Sequence, residues 1–447
     1  MKNLIPDFSR KNNGRKIVII GNGIAGITCA RNIRKDDATA TIQVVSGESE
    51  YFFSRTALMY VFMGHMKFDH IKPYEDGFWK KNKIDLIHDW VGEVDFQKRR
   101  CLLHSGKVIP YDILILATGS KPLTFGWPGL EYEGVQGLYS KQDLEKMEKN
   151  TQKIKKAVVV GGGLIGIEMV EMLKSRHIEV TFLVREPGFW QMILPNEEFT
   201  MVERHMLEHQ VDLRLNTELK EITADKNGKV NGVLTHTNEL IECEFVGIAT
   251  GVTPNIGFLQ GSQLEIKKGI LIDEFFTTSI KDVYAIGDCA EFRKSPAPNR
   301  KEIEQVWYTG RMHGETLAYN LTRGKVPYCP GPWFNSAKFF DLEYQTYGFV
   351  PNGPEGGIET MVWQHDNGRI LFRAVYESES RIFMGANSLG FRLRHEFMDT
   401  AIKDKWKIEK VMENLDKADF NPEFYEKNHK KILRKFQGFM DIQNTTL

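Results

Sequence analysis

Two clusters of glycines have the residue types and spacing of a phosphate-binding turn. GNGIAG (residues 21–26) follows the β-branched run KIVII (16–20), and GGGLIG (161–166) follows AVVV (157–160). In such a turn the first glycine permits a tight bend, the second lets a pyrophosphate approach the backbone, and the third lets the helix pack on its strand. The amides at the start of that helix then bind the anion. One cluster alone could be a simple tight turn, but the pair predicts two dinucleotide sites.

Three further segments have the form of buried strands that end beside a glycine. They are YDILILATG (111–119), FVGIATG (245–251) and VYAIGDCA (283–290). The last segment places Asp288 directly after a strand and a glycine. A carboxylate in that position can accept hydrogen bonds from ribityl or ribose hydroxyls, so we expect it to contribute to one of the two sites.

Composition limits the classes of protein that need to be considered. The chain has 447 residues, which at roughly 150 per domain predicts about three domains. Hydrophobic residues make up 41% and charged residues 26%, as is typical of globular proteins. Lys plus Arg and Asp plus Glu both number 59, so there is no bulk positive field to attract nucleic acid or an anionic membrane. With neither a signal-like amino terminus nor an apolar span, we expect a soluble cytoplasmic protein.

Cysteine usage points to the same compartment. The five cysteines are odd in number and far apart: Cys29, Cys101, Cys243, Cys289 and Cys329. This argues against a disulfide scaffold and against a C-x-x-C metal site. We interpret them as packing residues in a reducing cytoplasm.

The ordered set GxGxxG, ATG, GGGxxG, ATGxxPN and YAIGD resembles the FAD and NAD(P) flavoproteins called pyridine nucleotide-disulfide oxidoreductases, over about residues 16–320. The resemblance implies an α/β fold with two Rossmann-like domains and a small α+β carboxyl-terminal domain. It implies an FAD domain at 1–123 and 247–326, interrupted by an NAD(P)H domain at 124–246. An interface domain with a helical tail would occupy 327–447, and DNG (366–368) predicts a hairpin within it.

The resemblance also assigns the site residues. The cofactor-binding set is Gly21, Gly23, Gly26, Glu48, Arg55, Ala117, Thr118, Gly119, Gly161, Gly163, Gly166, Arg185, Gly251, Gly287 and Asp288. Glu48 is the first candidate to bind the adenosine ribose of FAD, and Glu50 is the second. The residues expected near the chemistry are Glu168, Arg55 and Trp307, where Trp307 opens a helix whose amino end would face the flavin.

The branch within the family follows mainly from missing cysteines. The chain has no cysteine between Cys29 and Cys101, where the disulfide reductases have a C-x-x-x-x-C pair. Without that thiol no relay to a disulfide can operate, and single-cysteine oxidase chemistry loses its nucleophile. The stretch 45–58 is instead similar to ferredoxin and rubredoxin reductases and to apoptosis-inducing-factor-like flavoproteins. There, Tyr60 replaces the lysine that would pair with Glu168, so we expect Glu168 to tend towards protonation.

The nicotinamide preference can be argued from the strand VTFLVRE (180–186). NAD-specific members end this strand with an acid that binds both ribose hydroxyls, but here Val184 stands in that place. Arg185 could pair with a 2'-phosphate, so we favour NADPH, while Glu186 leaves NADH possible.

Two remaining segments have alternative interpretations. His205 to His209 spells H-x-x-E-H, a zinc pattern, but no third ligand is evident and we expect no metal. Residues 403–436 carry Trp406, Ile408, Val411, Met412 and Leu415 at helical intervals, which predicts a docked amphipathic helix or, alternatively, a membrane- or partner-binding one.

The sequence thus predicts an FAD-dependent NAD(P)H oxidoreductase that passes electrons to a small redox protein. The alternatives are a slow-turnover, redox-sensing interaction flavoprotein and an NAD(P)H:quinone or oxygen reductase. The expected ligand is a nicotinamide dinucleotide, nucleic acid is not expected, and a homo-oligomer is compatible with the sequence.

Overall fold

The structure is a computed structural model that describes residues 14–446, with side chains to residue 441. The strands are β1 (Lys16–Ile20), β2 (Thr41–Ser46), β3 (Ile84–His88), β4 (Val91–Asp95), β5 (Arg100–Leu103), β6 (Val108–Pro110), β7 (Ile113–Leu116), β8 (Ser120–Pro122), β9 (Val135–Gln136), β10 (Lys156–Val160), β11 (Glu179–Leu183), β12 (Asp212–Arg214), β13 (Leu219–Ala224), β14 (Val230–Thr235), β15 (Leu240–Glu242), β16 (Phe245–Ile248), β17 (Val252–Pro254), β18 (Ile270–Ile272), β19 (Val283–Ala285), β20 (Ala290–Phe292), β21 (Phe334–Phe339), β22 (Leu342–Gly348), β23 (Ile358–Gln364), β24 (Leu371–Glu377) and β25 (Phe383–Leu389). The helices are α1 (Ile24–Asp36), α2 (Leu58–Phe62), α3 (Gly77–Lys81), α4 (Lys141–Asn150), α5 (Leu164–Ser175), α6 (Asn196–Glu208), α7 (Trp307–Thr322), α8 (His395–Lys403), α9 (Ile408–Glu413), α10 (Leu415–Ala418) and α11 (His429–Thr446).

The first of two compact units comprises residues 14–123, 139–148 and 252–330. Its main sheet has the strand order β19-β7-β1-β2-β3, and all of its pairings are parallel. The central strands are apolar along their length because helices cover both faces of such a sheet. The carboxyl ends of β1, β7 and β19 therefore meet at one edge, which is where ligands bind in open α/β sheets.

The second unit comprises residues 124–138, 149–251 and 331 onwards. It contains another parallel sheet, with the order β12-β11-β10-β16-β9. The predicted duplication of a Rossmann-like unit is therefore confirmed, with β10, α5 and β11 repeating the arrangement of β1, α1 and β2.

An antiparallel sheet with the order β21-β22-β25-β24-β23 completes the second unit. The predicted hairpin is confirmed: β23 pairs with β24 around the Asp366-Asn367-Gly368 turn, where Gly368 has a φ of +68°. The expectation of one amphipathic helix over residues 403–436 was wrong, because the segment contains several helices. Ile408, Val411, Met412 and Leu415 are buried as the periodicity predicts, but they lie on the short helices α9 and α10.

The α/β fold class with two Rossmann-like sheets and a carboxyl-terminal α+β region is thus present. The second unit holds both the second parallel sheet and the carboxyl-terminal sheet. Within the described residues, no helix is both long enough and apolar enough to cross a membrane.

Candidate dinucleotide sites

The first glycine turn joins β1 to α1 in a backbone path that tolerates no side chain at two of its positions. Gly21 has a φ of +113°, and a Cβ there would lie 2.1 Å from the carbonyl oxygen of Ala117. A Cβ on Gly26 would lie 2.1 Å from the carbonyl oxygen of Gly21. These two glycines therefore serve close packing of the turn against β7 and of the helix against its own strand.

Gly23 differs from its neighbours because it faces open space. Apart from the two chain neighbours, no described atom lies within 4 Å of the position that a Cβ on Gly23 would take. The residue caps the amino end of α1, where no described side chain makes a capping hydrogen bond and the first turn carries no acid. A helix end with unsatisfied amides, room in front of it and no competing anion is suited to a pyrophosphate.

The second glycine turn repeats this geometry at the start of α5. Gly161 has a φ of +117°, and its Cβ would lie 2.4 Å from the carbonyl oxygen of Ala249. A Cβ on Gly166 would lie 2.1 Å from the carbonyl oxygen of Gly161, while one on Gly163 would meet no described atom within 4 Å. Gly163 likewise caps a helix that has no side-chain cap within the described residues.

The YAIGD segment (284–288) lies beside the first glycine turn. Gly287 has a φ of +73°, and its Cβ would approach the Ala25 Cβ to 3.0 Å, so this turn packs against the first turn of α1. Its backbone amide donates to Nδ1 of the buried His313 at 3.1 Å. Asp288 follows, and its carboxylate accepts a hydrogen bond from the Ser120 hydroxyl at 3.0 Å. Burial raises the pKa of Asp288, against the lowering effects of that hydrogen bond and of the charge on Arg55.

Arg55 and Glu48 form a two-point ion pair. The Arg55 guanidinium donates to both Glu48 carboxylate oxygens, at 2.8 and 2.6 Å, and to the carbonyl oxygen of Tyr139 at 2.5 Å. It also lies 4.3 Å from the centre of the Tyr139 ring. Glu48 additionally accepts the Lys141 amide at 3.0 Å. Glu48, predicted to hold the adenosine ribose, therefore already has both oxygens engaged by groups of this chain.

Sequence reasoning missed Ser120, Tyr139 and Gln305, which join this ion pair to Asp288. The Ser120 amide donates to the Tyr139 hydroxyl at 2.9 Å, and Gln305 donates to the Ser120 hydroxyl at 2.8 Å. Burial raises the pKa of Tyr139 to about 12, so the hydroxyl stays protonated. None of the three lies in a recognisable motif, although Ser120 directly follows the ATG segment.

Ala117, Thr118, Gly119 and Gly251 lie in the loops that leave two central strands. The Thr118 hydroxyl donates to the Asn255 carbonyl oxygen at 2.8 Å, and the Asn255 amide donates to the Gly119 carbonyl oxygen at 2.9 Å. Gly119 and Gly251 both have positive φ values, +68° and +113°. These glycines are therefore needed for the chain to turn at the end of each strand.

Trp307 begins α7, as the sequence predicts. It is partly exposed and meets Tyr308 edge to face, with ring centres 5.6 Å apart. No described side chain caps this helix, whose first turn carries no acid. A Cβ on Gly314 would lie 2.5 Å from the Ala25 carbonyl oxygen, so α7 packs closely on the first turn of α1. Two positive helix ends thus occur at the same sheet edge in the first unit.

The two residues that follow β11, Val184 and Arg185, bear on the nicotinamide preference. Val184 is fully buried and packs against the glycine turn, since a Cβ on Gly162 would lie 2.7 Å from its side chain. Arg185 is 67% exposed and donates from Nε to Glu186 at 2.7 Å. The cation at this position is thus accessible, and its only described ion pair is with its neighbour.

Glu168 lies on α5 and is partly buried. Burial, reinforced by the nearby charge of Glu171, raises its pKa to about 7, although Lys338 acts in the opposite direction. Lys338 itself pairs with Glu171 at 2.8 Å. The direction of this pKa shift agrees with the expectation that Glu168, without a lysine at position 60, tends towards protonation or another hydrogen-bond donor.

Four of the five cysteines are buried packing residues. Cys29, Cys101, Cys243 and Cys289 are buried, and burial raises the pKa of each of these thiols. Cys289 donates to the carbonyl oxygens of Leu116 and Ile286. Only Cys329 is exposed. A buried thiol of high pKa is a poor nucleophile, so these four cannot relay electrons to a disulfide.

The residues present fit two dinucleotides. Each glycine turn offers an uncapped helix end with space in front of it, and the first unit adds the Asp288 carboxylate near a second uncapped helix. These features match what FAD requires in the first unit and what a nicotinamide dinucleotide requires in the second.

Comparison with known proteins identifies the class. The family model described as pyridine nucleotide-disulphide oxidoreductase matches residues 15–314, and the chain belongs to this family. It is accordingly an FAD-dependent NAD(P)H oxidoreductase.

Among individual relatives, the chain is 27% identical over 335 residues to the ferredoxin reductase subunit of 5,5'-dehydrodivanillate O-demethylase from a Sphingobium species, covering 74% of this chain and 81% of the relative. It is 28% identical over 283 residues to nitrite reductase [NAD(P)H] of Bacillus subtilis, covering 62% of this chain but only 35% of that longer protein. A solved structure of an NAD-dependent persulfide reductase from A. fulgidus has the same fold, with a TM-score of 0.83, 24% identity, and coverage of 96% and 84%.

Proposed function

We propose that the protein takes electrons from NADPH or NADH and delivers them to a small electron-transfer protein. The observation that carries this proposal is the absence of any cysteine between Cys29 and Cys101, in a chain with two complete glycine turns. Electrons that reach the flavin must then leave it directly, not through a thiol. The names of the ferredoxin reductase subunit and of rhodocoxin reductase from Rhodococcus erythropolis, 28% identical over 330 residues, support an electron-transfer partner.

Bound FAD would supply the chemistry that converts a two-electron hydride into single electrons. The chain's contribution is binding, orientation and charge. The amides that open α1 would hold the FAD pyrophosphate, Asp288 would accept hydroxyl hydrogen bonds, and the end of α7 would favour negative charge in front of it.

Three residues are proposed to tune this chemistry. Arg55, held by Glu48 and Tyr139, presents a fixed positive charge in the FAD-binding unit. Trp307 would border the flavin ring. Glu168, with a pKa of about 7, would be neutral for part of the physiological range. The domain boundaries proposed for these roles are 1–123 and 247–326 for FAD, 124–246 for NAD(P)H and 327–447 for the interface domain.

For the nicotinamide cofactor we propose a preference for NADPH. An apolar, buried Val184 cannot bind two ribose hydroxyls, whereas the exposed guanidinium of Arg185 can bind a phosphate. The cytoplasm is the proposed compartment, because the scattered cysteines suit a reducing environment.

The test is an anaerobic titration of the purified yellow protein with NADPH and with NADH. The reduced protein is then mixed with a panel of ferredoxins, rubredoxins and quinones. Fastest reoxidation by a ferredoxin or rubredoxin supports the proposal, and fastest reoxidation by a quinone or by oxygen contradicts it.

A second candidate function is a slow-turnover flavoprotein that acts through redox-dependent binding of a partner. Three large aromatic side chains are exposed close together in the chain, at Phe420, Phe424 and Tyr425. Stopped-flow reduction distinguishes the two candidates. Reduction slower than about one per second, with a long-lived charge-transfer complex, favours binding over turnover, because typical enzymes turn over about ten times per second.

A further inference from the structure

Two histidines and an aspartate converge in the second unit, on residues outside its glycine turn. His205 lies in the last turn of α6, and His209 follows four residues later as the carboxyl-terminal cap. Asp341 lies in the two-residue turn between β21 and β22. Its Oδ1 is 2.7 Å from Nε2 of His205 and 3.5 Å from Nε2 of His209. One ligand atom from each of the three residues lies within 4.8 Å of the others.

The hydrogen bonds of His209 set its ring as a metal-binding histidine requires. Its Nδ1 lies 3.0 Å from the carbonyl oxygen of His205. A carbonyl oxygen can only accept, so Nδ1 carries the proton and Nε2 retains a lone pair directed towards Asp341. Metal-bound histidines almost always donate their second ring nitrogen to such an acceptor.

A carboxylate lies near the second ring nitrogen of His205. Nδ1 of His205 is 3.6 Å from Oε2 of Glu208, whose carboxylate is held by Arg369 at 2.9 Å. With no cation present, the Nε2–H group of His205 donates to Asp341. If the ring proton of His205 moves to Nδ1, that proton faces Glu208. The Nε2 atoms of both histidines then have lone pairs free for a metal ion beside Asp341. His209 then has the outer acceptor of a metal site, and His205 has the Glu208 carboxylate 3.6 Å from its Nδ1.

The turn that carries Asp341 is held in an unusual backbone conformation. Phe340 has a φ of +58°, a left-handed value that is favourable for glycine and rare for a bulky residue. Its ring stacks on His209 with centres 4.2 Å apart and meets His205 edge to face at 6.2 Å. Such a conformation persists only where its surroundings enforce it, and here it sets the carboxylate against both imidazoles.

We propose that His205, His209 and Asp341 bind one Zn²⁺ ion, with water as the fourth ligand. Zn²⁺ takes imidazole nitrogen and carboxylate oxygen at about 2.0–2.2 Å in tetrahedral sites. Ligand atoms of one tetrahedron then stand a little more than 3 Å apart, and the distances of 2.7 and 3.5 Å bracket that spacing. The ion would join α6 to the β21–β22 hairpin. The H-x-x-E-H motif thereby gains the third ligand that sequence reasoning could not find.

The experiment uses the FAD-loaded protein after treatment with a chelator, titrated with ZnCl₂ in competition with a chromophoric chelator. Wild type is expected to bind one Zn²⁺ per chain tightly. Asp341→Asn and His209→Gln should each lose more than the roughly 10–100-fold in affinity that removal of an outer-shell partner costs. Both side chains are partly exposed, at 69% and 36%, so these variants should fold. His88→Gln, at an exposed position of the other unit, is the control and should bind as wild type does.

Thermal unfolding supplies a second readout. Zn²⁺ should raise the Tm of wild type and of His88→Gln, but not that of Asp341→Asn, because a ligand stabilises only a fold that binds it. Unchanged zinc affinity in both ligand variants, or only weak binding at several sites, would overturn the proposal. Flavin reduction by NADPH should be the same in all these proteins, so failure here is separate from failure of the proposed redox function.

Discussion

The two glycine turns share one backbone design but have different side-chain surroundings. In both, the first and third glycines pack against backbone at closely similar distances, and the middle glycine faces open space. Around the first turn, Asp288, Ser120, Tyr139, Arg55 and Glu48 form a continuous polar network. Around the second turn stand an apolar Val184, an exposed Arg185 and a Glu168 of raised pKa. On the proposed function, the first turn would hold FAD and the second would hold the nicotinamide dinucleotide, so the same backbone design would serve two different cofactors.

Gly163→Val should separate the two sites with the largest effect. Apart from the two chain neighbours, an added Cβ would meet no described atom within 4 Å, so we expect the fold to persist while the side chain fills the space for the pyrophosphate. We expect flavin reduction by NADPH to fall by a factor on the order of 100 or more, a loss of about 3 kcal/mol in transition-state stabilisation, while FAD stays bound.

Gly23→Val is the matched variant, because its Cβ also enters open space. It should yield a folded but colourless protein. The assignment of the two sites would be wrong if Gly163→Val lost the yellow cofactor or if Gly23→Val retained it, as judged by the visible absorption spectrum.

Arg55→Ala tests the polar network of the first unit. The change leaves the largely buried Glu48 carboxylate without its two-point partner. We expect the free energy of unfolding to fall by about 2 kcal/mol, measured by urea denaturation, since an unsatisfied charged group costs more than a neutral one.

Arg99→Ala, which removes a more exposed ion pair with Asp282, serves as the control and should cost about 0.5 kcal/mol. Equal losses for the two arginine variants would show that the network around the first turn has no special role in stability.

Glu168 gives the second unit a distinctive pH dependence. Its pKa rises from 4.5 to about 7 on folding, so between these values the folded state holds a proton that the unfolded state releases. This contribution makes stability fall as pH increases from about 4.5 to 7, after which the penalty is complete. Glu168→Gln should remove this penalty. Its stabilisation relative to wild type should therefore be about 2 kcal/mol larger at pH 8 than at pH 5.

Urea denaturation at the two pH values measures this difference. Glu186→Gln, which removes a partly exposed carboxyl group just beyond β11, is the control for loss of a carboxyl group in the same unit. A wild-type pH profile in Glu168→Gln would mean that the carboxyl titrates normally in the folded protein.

The backbone of both glycine turns could be predicted from the sequence, because short motifs determine local backbone geometry. GNGIAG and GGGLIG predicted both turns, and VYAIGDCA predicted the place of Asp288. The pairing of Glu48 with Arg55, and their connection through Tyr139, could not be predicted, since Tyr139 is distant in sequence and lies in no motif. The approach of Asp341 to His205 was missed for the same reason. Residues 403–436 showed the correct apolar periodicity, but it continued across several short helices.

Arg185→Glu should have the smallest effect of the series. Losing the exposed guanidinium should raise the KM for NADPH roughly tenfold, about 1.4 kcal/mol, and leave the KM for NADH nearly unchanged. Steady-state kinetics with both nucleotides checks this. A parallel change for the two would argue that Arg185 does not contact a 2'-phosphate.

The central claim is that electrons leave the flavin without passing through a thiol. Its most direct test is to measure flavin reduction and reoxidation after the thiols are alkylated under native conditions. We predict that NADPH still bleaches the bound FAD, and that ferredoxin or rubredoxin still reoxidises it, at the rates of untreated protein, because only Cys329 is exposed. Loss of either half-reaction on alkylation, or a purified protein that contains no flavin, would contradict the account.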